Sequence, residues 1–173
     1  MPRVIAALFL LLLASCTTTT QDWTREEQAA VTTRSFPTLS PSQATAIAER
    51  VVRAIRPDKM QFAYRDNGFR ATRGSFQYFV FGAAQLDYAY DVTVRPAGSG
   101  SVVQLIVQSG GTALTSVGAL PGGEGMVRAQ TPYETIFRRM EYVAGTRPEW
   151  TPCGALQGFN EPVCVSANDD PIQ

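Results

Sequence analysis

The sequence predicts an α+β fold, a two-layer sandwich in which an antiparallel sheet of four to five strands packs against two helices and the C-terminal tail is stapled by a disulfide. Three observations lead there. Two stretches repeat apolar residues at helical spacing behind proline-containing capping boxes. The clearest alternating run is answered by a second one after a glycine-rich turn. Helix, strands and helix follow in an order that leaves one apolar sheet face for the helices to bury.

The elements follow in chain order. Residues 22–33, with Trp23, Glu26, Glu27, Ala29, Ala30 and Val31, suit one or two helical turns or the end of a tether, and residues 32–36 read as an edge strand. Ser40 as N-cap, Pro41 at the first helical position and Gln43 at the third form a capping box. Behind it Ala44, Ile47, Ala48, Val51 and Ile55 make one stripe, Glu49 and Arg53 an outward i,i+4 pair, and Pro57 ends the helix. Met60, Phe62 and Tyr64 then alternate with polar residues up to Asn67-Gly68, which predicts a two-residue type I′ turn. That turn sets Arg65 opposite Arg70 and Tyr64 opposite Ala71, with the arginines on the face away from the apolar residues.

Gly74-Ser75 reads as a break. The strand resuming over residues 76–81 carries Phe76, Tyr78 and Val80 on one face and Phe79 and Phe81 on the other, as a central strand covered on both sides or occupied by a partner would. Leu86, Tyr88, Tyr90, Val92 and Val94 alternate with Asp87, Ala89, Asp91, Thr93 and Arg95, a half-buried antiparallel strand. Residues 96–100 turn the chain, and Val103, Leu105 and Val107 answer from the next strand. Residues 109–130 are rich in glycine without sustained periodicity and predict a long, mobile or functional loop. Thr131 as cap, Pro132 and Glu134 open a second helix with Tyr133, Ile136, Phe137, Met140 and Val143 as its stripe and Gly145 as its left-handed terminator. The domain thus spans 32–145, and 146–173 is a proline-interrupted tail with Trp150, Leu156, Phe159 and Val163 available to dock.

Composition restricts the chemistry. The chain has 173 residues, 45% of them apolar and 17% charged, with 15 basic and 15 acidic side chains and no histidine. That length means one domain with appendages. Without histidine the usual nucleophilic triads, most zinc sites and any imidazole pH switch are gone. There is no Gly-x-Ser-x-Gly elbow, the lone Lys59 follows Pro57-Asp58 at a helix exit, and the glycine-rich stretch lacks a Gly-Lys-Ser/Thr ending. Asp87 and Asp91 share a strand face about 13 Å apart, too far for a glycosidase pair. The sequence therefore predicts a protein without enzymatic activity, metal or cofactor.

The amino terminus is an address. Arg3 precedes ten consecutive apolar residues, 4–13, a length suited to a signal-peptide core and too short for a membrane span. Leu13-Ala14-Ser15-Cys16 follows and resembles the lipobox of bacterial lipoproteins. The resemblance implies cleavage of residues 1–15, acylation of Cys16 including a palmitate-type chain, and anchorage in membrane lipid. Thr17 at the next position implies the periplasmic face of the outer membrane by the family's sorting rule. Residues 16–31, opening with the threonines 17–20, are the tether. Cys153 and Cys164, the other two cysteines, are expected to pair in that oxidising compartment, closing a loop worth about 2.8 kcal/mol.

The segment Arg34-Ser35-Phe36 before helix and sheet is similar to a pattern in small α+β lipoprotein modules of Gram-negative envelopes, which implies a scaffold or assembly role. A partner surface is expected at two places: the basic strip Arg65, Arg70 and Arg73, within a stretch from residue 50 to 73 of seven basic residues against Asp58 and Asp66, and the loop centred on Pro121, Gly122 and Gly123. The expected function is that of an outer-membrane scaffold binding an envelope protein and no nucleic acid. A carrier of a lipid or other apolar ligand and a peptidoglycan-binding module are the alternatives.

Overall fold

The computed structural model describes residues 22–79, 82–115, 118–158, 162–164 and 171–172. Their elements are α1 (Arg25–Thr32), β1 (Thr33–Phe36), α2 (Pro41–Ile55), β2 (Gln61–Arg65), β3 (Gly68–Phe79), β4 (Gly82–Ala97), β5 (Gly100–Thr115), β6 (Gly118–Pro121), β7 (Gly125–Met126) and α3 (Gln130–Val143). The fold is α+β, an antiparallel sheet packed against helices with a C-terminal disulfide. Cys16 and the rest of segment 1–21 lie outside the described residues, as do Val80, Phe81 and Phe159.

The sheet runs β1-β5-β4-β3-β2. Since β4 occupies one edge of β5 along its whole length, the other edge is shared end to end by β1 at residues 101–104, β7 at 108–109 and β6 at 112–115. One face carries the helices. Ala44, Ala48, Val51, Val52 and Ile55 of α2 and Tyr133, Ile136, Phe137 and Met140 of α3 meet Phe69, Ala71, Tyr90, Val92, Val94, Val103, Leu105 and Val107 in a continuous core. The alternation predicted for β4 and β5 is thus realised, because only alternate side chains reach the helical layer.

Helix α2 starts as its residues require: Ser40 Oγ accepts from the Gln43 amide, the Gln43 side chain returns to Ser40 N, and Pro41 sits in the first turn. Glu49 and Arg53 pair at 2.6 Å. At the far end of α3, Gly145 has φ 74°, Thr146 N donates to Glu141 O and Gly145 N to Tyr142 O, a Schellman ending. The Arg34-Ser35-Phe36 segment is explained by packing. Phe36 is buried, while Arg34 reaches Glu134 at 2.6 Å and Glu141 at 3.4 Å and lies over the Phe137 ring, so β1 clamps α3 to the sheet edge.

Several expectations are corrected. Of the two readings of residues 22–33 the helical one is realised rather than the tether: α1 is opened by a capping box between Thr24 and Glu27, and Trp23 packs edge-on against Tyr133. The first hairpin turns at Asp66-Asn67, not Asn67-Gly68, and Arg65 pairs with Gly68, Tyr64 with Phe69 and Ala63 with Arg70. Gly68 is needed inside the ladder: a Cβ there would fall 2.0 Å from the Val92 carbonyl oxygen. Gly74-Ser75 does not interrupt β3, which pairs with β4 from Gly68 to Phe79. The stretch 109–130 is largely strand, since backbone ladders bond without regard to side-chain pattern. Thr131 does not cap α3, whose N-cap is Ala129; the Thr131 hydroxyl donates instead to the Gln157 carbonyl of the tail.

Candidate functional site: the uncovered face of the sheet

The structure separates the three arginines of the expected strip. Arg70 and Arg73 are three residues apart on one continuous strand, so they face opposite sides of the sheet. Arg73 is 2% exposed. Its guanidinium lies over the Tyr88 ring, 4.4 Å from the centroid, and donates to the Tyr90 hydroxyl and, at 3.0 Å, to the Pro162 carbonyl, which also accepts from Tyr90. Arg139, 4% exposed, repeats the arrangement from α3: it donates to the Thr151 carbonyl at 2.9 Å, approaches Cys153 Sγ at 3.6 Å and covers the Trp150 ring. The two buried arginines hold the tail at either end of the loop closed by Cys153–Cys164, whose Cα atoms are 5.5 Å apart.

Arg65 and Arg70 do share the face away from the helices, but they are not a like-charge pair across a hairpin. Both converge on Asp91, Arg70 at 2.6 Å and Arg65 at 3.3 Å, and Arg70 also donates to Gln108 at 3.0 Å. The carboxylate between them removes the repulsion that the predicted register would have produced. Pro121 closes β6 opposite Thr112, and Gly122 N donates to Gly111 O at 2.7 Å. A Cβ on Gly122 would lie 2.9 Å from that same oxygen, so glycine allows the segment to lie down on β5, and Gly123 remains exposed beside it.

Beside Arg70 the uncovered face is hollowed into a groove of about 580 Å³. Thr72, Gly74, Ala89 and Gly110 form its floor, because β3, β4 and β5 present their smallest residues at adjoining positions: Thr72 opposite Ala89, and Gly74 and Gly110 both opposite Asp87. Lys59 and Arg70 supply positive charge to its walls and Asp87 and Glu124 negative charge. Glu124 leans over Gly110, where an added Cβ would meet its Cγ at 2.8 Å. Asp87 is held by the Gln85 amide, 3.1 Å from both carboxylate oxygens.

Among the described residues no group of three His, Cys, Asp or Glu side chains is placed to hold a metal. The buried phenols are unsuited to proton transfer near neutrality. Burial raises Tyr90 above its ordinary value despite Arg73 beside it, and burial pushes Tyr133 up to about 12 against the lowering effect of its bond to Val107. Asp87 and Asp91 do lie on one face as the alternation implies, each committed to different neighbours.

Two residues were within reach of a closer sequence reading. Arg139 falls three after Ile136 and four before Val143, inside the apolar stripe, and the odd spacing of Arg70 and Arg73 already places one of them among apolar neighbours. The part played by Asp91 and Gln108 had no such signal, because it depends on which strands become neighbours.

The fold and site together define a two-layer α+β domain in which the described helices pack on one face of the sheet only. Comparison with protein-family models, with curated proteins and with solved structures finds no match.

Proposed function

We propose that the protein is a lipid-anchored, non-enzymatic docking subunit of the bacterial envelope, tethered through acylated Cys16 at the periplasmic face of the outer membrane and presenting the open sheet face to a partner protein. The observation that supports this reading is the groove floored by Thr72, Gly74, Ala89 and Gly110. A floor without bulky side chains admits a polypeptide backbone at close range, and walls carrying both signs of charge fix its register and direction. Arg65 and Arg70 belong to this surface as members of the Asp91 cluster, while Arg73 serves the fold. The alternating charge favours a protein segment of mixed charge over a polyanion.

The test fills the groove without disturbing the core. Gly74→Phe adds a ring on the exposed side of β3, where the new Cβ meets only the Asp87 carboxylate, at 3.0 Å. A photo-cross-linker at Lys59, on the groove wall, in cells producing either form, should capture an envelope protein with the native sequence and lose it with Gly74→Phe at equal abundance. An unchanged cross-link in the Gly74→Phe protein would overturn the assignment of the groove.

A further inference from the structure

Phe76 and Tyr78 stand two residues apart on the uncovered face of β3, 57% and 83% exposed. They belong to a distal arm of the sheet in which none of the described side chains is buried: β3 past Arg73, β4 before Asp87 and β5 past Val107. The sequence of the arm carries no charge. Between Arg73 and Asp87, and again between Arg95 and Glu124, no lysine, arginine, aspartate or glutamate occurs. Elsewhere on the same sheet charged side chains are frequent, among them Arg65, Arg70, Asp91 and Arg95.

The amino-terminal end of the described chain sits where this arm begins. Asp22 forms an ion pair with Arg128, just past β7, and β7 pairs with β5 at Gln108 and Ser109. Cys16 lies only six residues before Asp22, so an acylated sulfur is within about 20 Å of that point even if the chain between is fully extended. From Asp87 back to Gly82 the arm reaches about 17 Å. The two lengths match, and a bilayer holding the lipid on Cys16 is therefore within reach of the arm.

We propose that the arm rests on a phospholipid bilayer with Phe76 and Tyr78 inserted at headgroup level, so that the domain is held at two points and its orientation is set. The inference rests on the anchorage through Cys16 proposed above. Aromatic side chains are favoured at the membrane interface, and charges, which are costly below it, are absent from the arm. Beyond Thr72 the outer edge of β3 pairs with no strand among the described residues. Headgroup oxygens and interfacial water can satisfy such an edge, so insertion stops at that depth.

The full-length acylated protein is reconstituted in vesicles of phosphatidylethanolamine and phosphatidylglycerol with brominated acyl chains, as the native chain and as Tyr78→Trp. The tryptophan introduced at position 78 should be quenched by bromine and spared in unbrominated vesicles, while the native emission from Trp23 and Trp150 changes little. Emission at position 78 indifferent to bromine, with the protein still on the vesicles, would overturn insertion. So would a photo-cross-link from position 78 to an envelope protein in place of lipid. Flotation of Cys16→Ser reads the anchorage separately: its release from vesicles supports attachment through Cys16, and undiminished binding combined with an unacylated native N-terminus refutes it, while quenching continues to report on the arm.

Discussion

The same three strands behave as two materials along their length. In their covered half, β3, β4 and β5 bury Phe69, Ala71, Tyr90, Val92, Val103, Leu105 and Val107 beneath α2 and α3. In their distal half the ladder continues, Gly82 pairing with both Phe79 and Thr115, yet no helix among the described residues covers it and Phe76 and Tyr78 face outward. The difference teaches that the hydrogen-bonded ladder and the apolar alternation have separate causes. The ladder is a backbone property and extends wherever two chains run side by side. Alternation is imposed only where a second layer makes one face cheaper for apolar side chains than the other. In the distal half the ladder persists without a second layer of described helices.

The comparison breaks most visibly under truncation. Leu105→Ala in the covered half should cost about 2–5 kcal/mol of unfolding free energy, because a filled core site becomes a cavity. Phe76→Ser in the arm should cost within about 0.5 kcal/mol. Urea unfolding of the two variants measures both, and a large loss for Phe76→Ser would mean that the arm contributes to the core after all. Native-state hydrogen exchange sharpens the result, with amides of residues 82–86 expected to open at lower free energy than those of 88–94.

An intermediate effect is expected where the tail closes over the covered half. Arg73→Gln removes the donor to the Pro162 carbonyl and should cost about 2 kcal/mol, in the range of charge-assisted bonds. Reducing Cys153–Cys164 should cost a similar amount, about 2–4 kcal/mol. Since both devices restrain the same segment, the double perturbation should fall short of the sum. Strict additivity, measured by thermal unfolding with and without reductant, would show that Arg73 and the disulfide act on different parts of the tail.

The smallest effect concerns acid. Burial alone would raise the Glu134 carboxyl, but the hydrogen bond from Arg138 and the charges of Arg34 and Arg138 outweigh it and hold the group below its ordinary 4.5. A folded value below the unfolded one means that this stabilisation is fully present above pH 4.5 and is lost as pH falls through the lower folded value. Arg34→Gln should therefore cost about 0.5–1 kcal/mol at pH 7, and the gap to the native chain should close in acid. A gap independent of pH would assign the loss to packing of Arg34 on Phe137 instead.

Much of this fold is written locally. The Ser40–Gln43 box, the Glu49–Arg53 pair, the Gly145 terminator and the alternation of β4 each depend on a few neighbouring side chains and the geometry of one element, so each was legible from the chain alone. The pairing of Cys153 with Cys164 was legible for a different reason: after Cys16 no other cysteine remains. What the tertiary structure decided are the choices between competing partners. Thr131 could cap α3 or hold the tail, and the Gln157 carbonyl takes it. Asn67-Gly68 could form the turn, but Val92 presses so closely on residue 68 that the glycine is drawn into the ladder. Residues 109–115 have no pattern of their own and become strand because β4 lies beside them. Arg70 becomes part of an open polar face and Arg73 part of the core because a helical layer lies on one side of β3 and not the other. Local chemistry names the pieces, whereas only long-range proximity determines which of several hydrogen-bond partners or faces is available, since that is where the free energy of the alternatives differs.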